Sequence, residues 1–433
     1  MDYTLAIYKN PEYDQLTYSL IIEDLITHSA YPPAIASLKF DPHTFVRGLI
    51  LDMELGNVLK LDKFTSILVC YHGKTKLTKA QISDLYPSFR IPNDLLGSKR
   101  FEILNVTYSL PISVLWCDLI SFFESSPTPQ KLDYQSLLMD VWNSSQKLHN
   151  FVDGQLKSQN FIDQIHNYVS DGKDLALVLK KLIDSGKKLF LLTNSPWMYT
   201  DKVMNWLLDN KLPQYSSWRN YFDVIIVEAQ KPNFFTSSNH FREISLETNH
   251  PKITHFGELA PGMPYQGGNM NLLNKLCNIT SSHDVLYVGD HIFSDVMISK
   301  KKHSWRTLLI MPELQEELIN QKKNQDLFLK LVELDNTKKQ LLEDFDIENK
   351  NFEEIQTKLK DIKAKIKAAS DDYDSKCNPY YGSPFRSGLH LSFFSMQLGR
   401  YADLYSCSVL SLLNYSPHHA FYPPISSLPH ERE

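Results

Sequence analysis

Cysteine is scarce and scattered. The chain holds five, Cys70, Cys117, Cys277, Cys377 and Cys407, with no CxxC among them. An odd number of widely spaced thiols argues against a disulfide scaffold or a zinc ribbon and makes a reducing compartment the default. Long apolar runs are missing too, since none approaches the roughly 20 residues that span a bilayer. A basic excess is absent: 45 Lys and Arg stand against 50 Asp and Glu, a formal net charge of -5. Nucleic acid is therefore a poor partner, and no membrane partner is expected. The opening residues Met1-Asp2-Tyr3-Thr4-Leu5-Ala6 lack the basic-then-apolar pattern of a secretory signal. A cytoplasmic location is expected, and a mitochondrial leader would have to lie upstream of Met1. No internal repeat is found.

What is plentiful is core material. The 433 residues are 42% hydrophobic and 22% charged, with 23 Phe, 22 Tyr and 6 Trp. That is globular composition, and at about 150 residues per domain it suggests two or three units or one core with an insertion. Four short apolar runs end in polar residues: Leu189-Phe190-Leu191-Leu192 before Thr193-Asn194-Ser195, Val224-Ile225-Ile226-Val227 before Glu228, Val285-Leu286-Tyr287-Val288 before Gly289-Asp290, and Leu308-Leu309-Ile310. Such runs predict strands buried on both faces. Leu175, Val178, Leu179, Leu182 and Ile183 recur at helical spacing before Gly186, as do Val203, Trp206 and Leu207 after a candidate cap at Thr200-Asp201. Strands alternating with helices predict an α/β fold whose parallel sheet gathers chemistry at the strands' carboxyl ends.

The remaining segments read differently. Val46 to Asp52 and Gly56 to Asp62 predict two strands about a turn, the N-terminal part of the core over residues 1–64. Residues 65–173 predict an inserted, mostly helical cap, with helices over Leu110 to Phe123 and Leu137 to Phe161. The main core resumes over 174–312. Residues 313–370 predict a surface helical hairpin whose second helix carries the seam Phe352, Ile355, Leu359, Ile362 and Ile366. That seam would pack on the main body or serve self-association. The tail 371–433 should be packed on the core, because Tyr380, Tyr381, Phe385, Phe393 and Phe394 would otherwise be wet.

Three of the predicted strand ends carry residues suited to phosphoryl chemistry. Thr193 and the amide of Asn194 can donate to phosphate oxygens. Lys231 can neutralise charge on a transferring group. Asp290 can offer Mg²⁺ the oxygen ligand it prefers. Asp295 can hold Lys231 or a metal-bound water. These residues, with Lys231-Pro232-Asn233-Phe234-Phe235, Trp305-Arg306-Thr307, Phe385-Arg386-Ser387 and Arg400-Tyr401-Ala402-Asp403-Leu404-Tyr405, resemble the haloacid-dehalogenase (HAD) superfamily of phosphatases. More narrowly, the chain resembles the cytosolic purine 5′-nucleotidase group and its 5′-nucleotidase domain-containing relatives.

The resemblance implies a HAD-type Rossmann-like parallel sheet with a helical cap and a C-terminal helical extension. It implies Mg²⁺-dependent hydrolysis of a phosphomonoester, most plausibly a nucleoside 5′-monophosphate. The family's first motif begins with a nucleophilic aspartate, followed two residues later by an acid/base aspartate and then Thr. Asp2 and Thr4 match the last two, and Asp2 would also help hold the metal. The nucleophile and its strand would fall just ahead of Met1, so the chain as written is expected to be truncated within that motif and nearly inactive. In the cap, His149 and Lys157 stand where the purine nucleotidase contacts its nucleotide. Trp142 and Gln146 occupy places that the group fills with arginine and aspartate. A second expectation is a non-catalytic scaffold using the same body for protein contacts.

Overall fold

The structure, a computed structural model, describes residues 1–126, 131–150, 154–253, 259–343, 352–423 and 429–431. It is a mixed α/β fold. The four apolar runs form the strands Phe190–Leu192, Val224–Val227, Leu286–Gly289 and Arg306–Ile310, most of them lined with buried aliphatic side chains. They fall into two sheets. In one, Phe190–Leu192, Val224–Val227 and Pro264–Gly267 run parallel, and Phe241–Glu243 closes the edge antiparallel. In the other, Leu286–Gly289, Arg306–Ile310 and Leu404–Ser406 run parallel.

Phe190–Leu192 and Leu286–Gly289 are edge strands of their respective sheets. The rings of Phe190 and Tyr287 stack across them, with centroids 6.3 Å apart. The turn Met1–Ala6, in which the Met1 carbonyl accepts the amides of Thr4, Leu5 and Ala6, touches both sheets at their carboxyl ends. Helices Lys173–Asp184 and Trp197–Leu208 follow the expected periodicities. The second begins earlier than expected, behind Pro196, so Thr200 and Asp201 lie inside it rather than capping it.

The hairpin Ile50–Asp52/Asn57–Leu61 is present. Ile67–His72, Thr75–Lys76 and Phe101–Ile103 extend it to a five-stranded antiparallel sheet. The stretch 65–173 is therefore strand-rich before it turns helical. Its Ile67-Leu68-Val69-Cys70-Tyr71-His72 run is β-branched and aromatic, and Gly73, at φ +50°, turns the chain back. Helices Leu110–Glu124 and Tyr134–Leu148 follow, and Glu12–His28 packs against both. Leu110–Glu124 is covered on all sides from Pro111 to Ile120. Part of the helix expected over Leu137 to Phe161 lies outside the described residues.

The extension is a set of three helices, Leu314–Lys323, Gln325–Glu343 and Phe352–Cys377. Ile355, Leu359, Ile362 and Ile366 pack on Leu334 and Leu341 of the preceding helix, which corrects the expectation that this seam faces the main body. Antiparallel helices bury such stripes against each other. Residues 344–351 and the Phe352 side chain lie outside the described residues. In the tail, Tyr381, Phe393 and Phe394 are buried as expected. Buried Lys60 ties the tail to the hairpin, donating to the carbonyls of Tyr381, Ser383 and Arg386 at 2.5, 2.8 and 2.7 Å. Among the described residues no helix is long and apolar enough to cross a membrane.

Candidate active site

The two sheets bring their carboxyl-end loops together around the Met1–Ala6 turn. Lys231 leaves the loop after Val224–Val227, and Asp295 lies in a wide helical turn, Ile292–Met297, after Leu286–Gly289. Lys231 Nζ donates to Asp295 Oδ1 at 2.7 Å and to the Tyr287 hydroxyl at 3.0 Å, and both charged side chains are almost wholly buried. Burial disfavours the Lys231 cation, but Asp295 and Tyr287 outweigh it and raise its pKa. Burial likewise opposes the Asp295 anion, yet Lys231 holds that carboxyl below its usual range. Gly289 is required here, because a Cβ would stand 2.4 Å from Asp295 Oδ2.

Asp290 sits beside this pair. Its Oδ1 accepts from the Thr4 hydroxyl at 3.1 Å. Burial first, then the Asp295 charge, push its pKa up. The buried Met1 amine lies close enough to Lys231, Asp2, Asp290 and Asp295 to feel all four charges.

Asp2 faces the other sheet. Its Oδ2 accepts from Ser195 Oγ and its Oδ1 from the Tyr8 hydroxyl, each at 2.7 Å. The Tyr8 and Tyr199 hydroxyls are 2.9 Å apart. With its proton committed to Asp2, Tyr8 accepts from Tyr199. Burial raises the Asp2 pKa, but Lys157, the amine and the two hydroxyls outweigh it, so the carboxyl lies below the usual range. Lys157 Nζ stands 3.5 Å from Ser195 Oγ and over the Tyr199 ring.

The other expected residues take distinct places. Thr193 is buried, and its Oγ1 accepts the Ser195 amide at 3.1 Å. The Asn194 carboxamide braces the Lys231 backbone, accepting from its N–H at 2.7 Å and donating to its carbonyl at 3.0 Å. His149 lies on the Asp2 side, where the Lys157 and Asp2 charges act on it and Tyr13 links it to the Tyr8 ring. Its Nδ1 donates to the Ser145 carbonyl at 2.8 Å, and its Nε2 faces the Tyr13 hydroxyl at 3.4 Å. Burial pulls its pKa down to about 4, so the ring is neutral. Trp142 meets Tyr108 edge-on, and Gln146 donates to the Tyr108 hydroxyl at 3.1 Å.

Sequence reasoning missed Ser195, Tyr8, Tyr199 and Tyr287 as parts of this cluster. Tyr287 was findable. It is an aromatic hydroxyl in an aliphatic strand, two residues before Gly289, so the strand's alternation puts it on one definite face. The Tyr8–Tyr199 and Ser195–Asp2 contacts join residues nearly 200 positions apart and leave no local signal.

Among the described residues no group of three or more His, Cys, Asp and Glu side chains converges as a cation cage. The chemistry of the donors still suits Mg²⁺ at Asp290. That carboxylate is half-buried near the Asp295 charge, and its one described side-chain hydrogen bond comes from the neutral Thr4 hydroxyl; Mg²⁺ is usually held by one or two protein carboxylates. Asp2 and Asp295 are each committed to other partners.

A model of the 5′ nucleotidase family matches residues 1–433. A 5′-nucleotidase domain-containing protein of Dictyostelium discoideum is 29% identical over 439 residues, covering 99% of this chain and 71% of the relative.

Proposed function

The chain belongs to the 5′ nucleotidase family, and on that basis we propose that its strand-end cluster is a HAD-type phosphomonoesterase centre acting on nucleoside 5′-monophosphates. The observation that carries this is that the Met1–Ala6 turn brings Asp2, bonded to Ser195, together with Asp290, bonded to Thr4, beside the Lys231–Asp295 pair. Thr193, Lys231 and the amide of Asn194 would bind phosphate oxygens. Asp290 would hold Mg²⁺ with its carboxylate, Asp2 would help with its backbone carbonyl and Asp295 through Lys231 or a bound water, and the ion would neutralise charge on the phosphoryl group. Lys157 lies on the Asp2 side, where it would meet the sugar or phosphate. His149 would line the cap side as a neutral donor or acceptor.

Asp2 is the acid/base. Its hydroxyl partners and Lys157 keep it ionised, ready to take a proton from water; an entering phosphate dianion favours the protonated form that serves the leaving oxygen. The nucleophile in this reading is an aspartate joined to the Met1 amine, whose carboxylate would enter the space between Lys231 and Asp290. It would attack phosphorus and form an aspartyl-phosphate that water then cleaves.

Any polypeptide without that carboxylate is expected to be nearly inactive. The test is release of inorganic phosphate from nucleoside monophosphates with Mg²⁺. Turnover should be found after an apolar strand ending in Asp is joined ahead of Met1 and be nearly absent otherwise. A second reading, a non-catalytic scaffold, is favoured by Leu318, Ile319, Leu329 and Leu342, which stand exposed on the extension helices.

A further inference from the structure

One buried cation belongs to none of these roles. The Arg47 side chain, 1% exposed, joins four separate segments. Its Nη1 donates to the backbone carbonyl of Asp290 at 3.0 Å. Its Nη2 donates to Thr107 Oγ1 at 2.7 Å, three residues before helix Leu110–Glu124 begins. Its Nη2 also donates to Glu313 Oε2 at 3.2 Å, and its Nε lies 2.8 Å from Glu313 Oε1 as an ion-pair contact without hydrogen-bond alignment. Glu313 in turn directly precedes helix Leu314–Lys323 of the extension. Phe394 of the tail lies against the guanidinium, 6.0 Å from ring centroid to Cζ.

A planar fork can satisfy three partners in fixed directions, which an ammonium cannot. Asp290 has no comparable restraint from its own side chain, whose one described bond is to Thr4. The peptide carrying the carboxylate is thus aimed by Arg47. Arg47 is itself aimed by the cap's first turn and by the extension. Any movement of Glu313 or Thr107 would pull on the Asp290 carbonyl.

We propose that Arg47 is a positioning residue that sets the Asp290 carboxylate for a divalent cation and makes that setting depend on Glu313 of the C-terminal extension. The inference rests on the proposed metal role of Asp290. It does not require turnover.

The experiment uses the 433-residue protein with Mn²⁺ as the probe, read by electron paramagnetic resonance, together with backbone amide exchange over residues 289–296. Arg47→Met should weaken Mn²⁺ binding by about tenfold or more, the usual effect of removing an outer partner of a metal ligand. Glu313→Gln, at a part-exposed site, should weaken it in the same direction by less than Arg47→Met does. Arg47→Lys should recover part of the loss. Exchange over 289–296 should quicken in Arg47→Met and in Glu313→Gln. Folded Arg47→Met and Glu313→Gln proteins with parental Mn²⁺ affinity and parental exchange would overturn the proposal. If Asp290→Asn binds Mn²⁺ as the parent does, the metal role of Asp290 fails instead. Exchange over 289–296 in Glu313→Gln then decides the Arg47 coupling alone: quickening supports it, and no change refutes it.

Discussion

Lys231 and Asp295 illustrate the residue scale. Both are nearly wholly buried and meet at 2.7 Å, so each neutralises a charge that would otherwise be stranded. Asp295→Asn should lower unfolding free energy by about 3–5 kcal/mol in urea titrations, the cost of an orphaned buried charge. Lys231→Met with Asp295→Leu should recover much of that loss. Gly289→Ala should cost about 1–3 kcal/mol, since its Cβ meets Asp295 and the pair must shift.

Asp14 gives a pH signature. Burial alone lifts its pKa to about 7, above the unfolded value. The folded chain then keeps a proton that the unfolded chain has lost between about pH 4 and 7, so stability falls as pH rises through that window, by at most roughly 4 kcal/mol. Asp14→Asn should flatten the slope of urea midpoints against pH over that window. An unchanged slope would remove Asp14 as its source. At this scale the placement of Thr193, Lys231, Asp290 and Asp295 at strand ends was legible, because each follows an apolar run. The hydroxyl cage about Asp2 was not, since its members are distant in sequence.

Elements carry a different lesson. Parallel strands were readable because a continuous aliphatic run has one good solution, burial on both faces. The helix Glu12–His28 escaped notice because its apolar residues are spread around its circumference, facing helices Leu110–Glu124 and Tyr134–Leu148 on two sides. The strand Phe101–Ile103 escaped because its neighbours in sequence are helical and its partner Ile50–Asp52 is distant, whereas Ile67–His72 pairs with the strands directly before and after it and was readable as part of a meander. Two element-level tests follow. Leu359→Ala should cost about 2–3 kcal/mol if its seam is closed against Leu334 and Leu341, and amide exchange should quicken in Gln325–Glu343 and Phe352–Cys377 but not in the core strands. Lys60→Met leaves three carbonyls without their donor and should cost about 3 kcal/mol or more. Limited proteolysis should then cut within residues 378–392 sooner than in the parent.

For the whole molecule, the division of the parallel strands into two sheets is the main organising fact. Phe190–Leu192 and Leu286–Gly289 each keep one unpaired ladder edge. The turn Met1–Ala6 bridges their carboxyl ends, with Thr4 bonded to Asp290 on one side and Asp2 to Ser195 on the other. In the proposed reading, a strand ahead of Met1 would lie between those edges and deliver an aspartate to the cluster. The most direct measurement is phosphate release from nucleoside monophosphates with Mg²⁺, comparing the 433-residue protein with one carrying an apolar strand and Asp joined to Met1. The account predicts turnover that depends on that Asp and vanishes with Asp→Asn at the added position. Equal turnover by the extended and unextended proteins would contradict it.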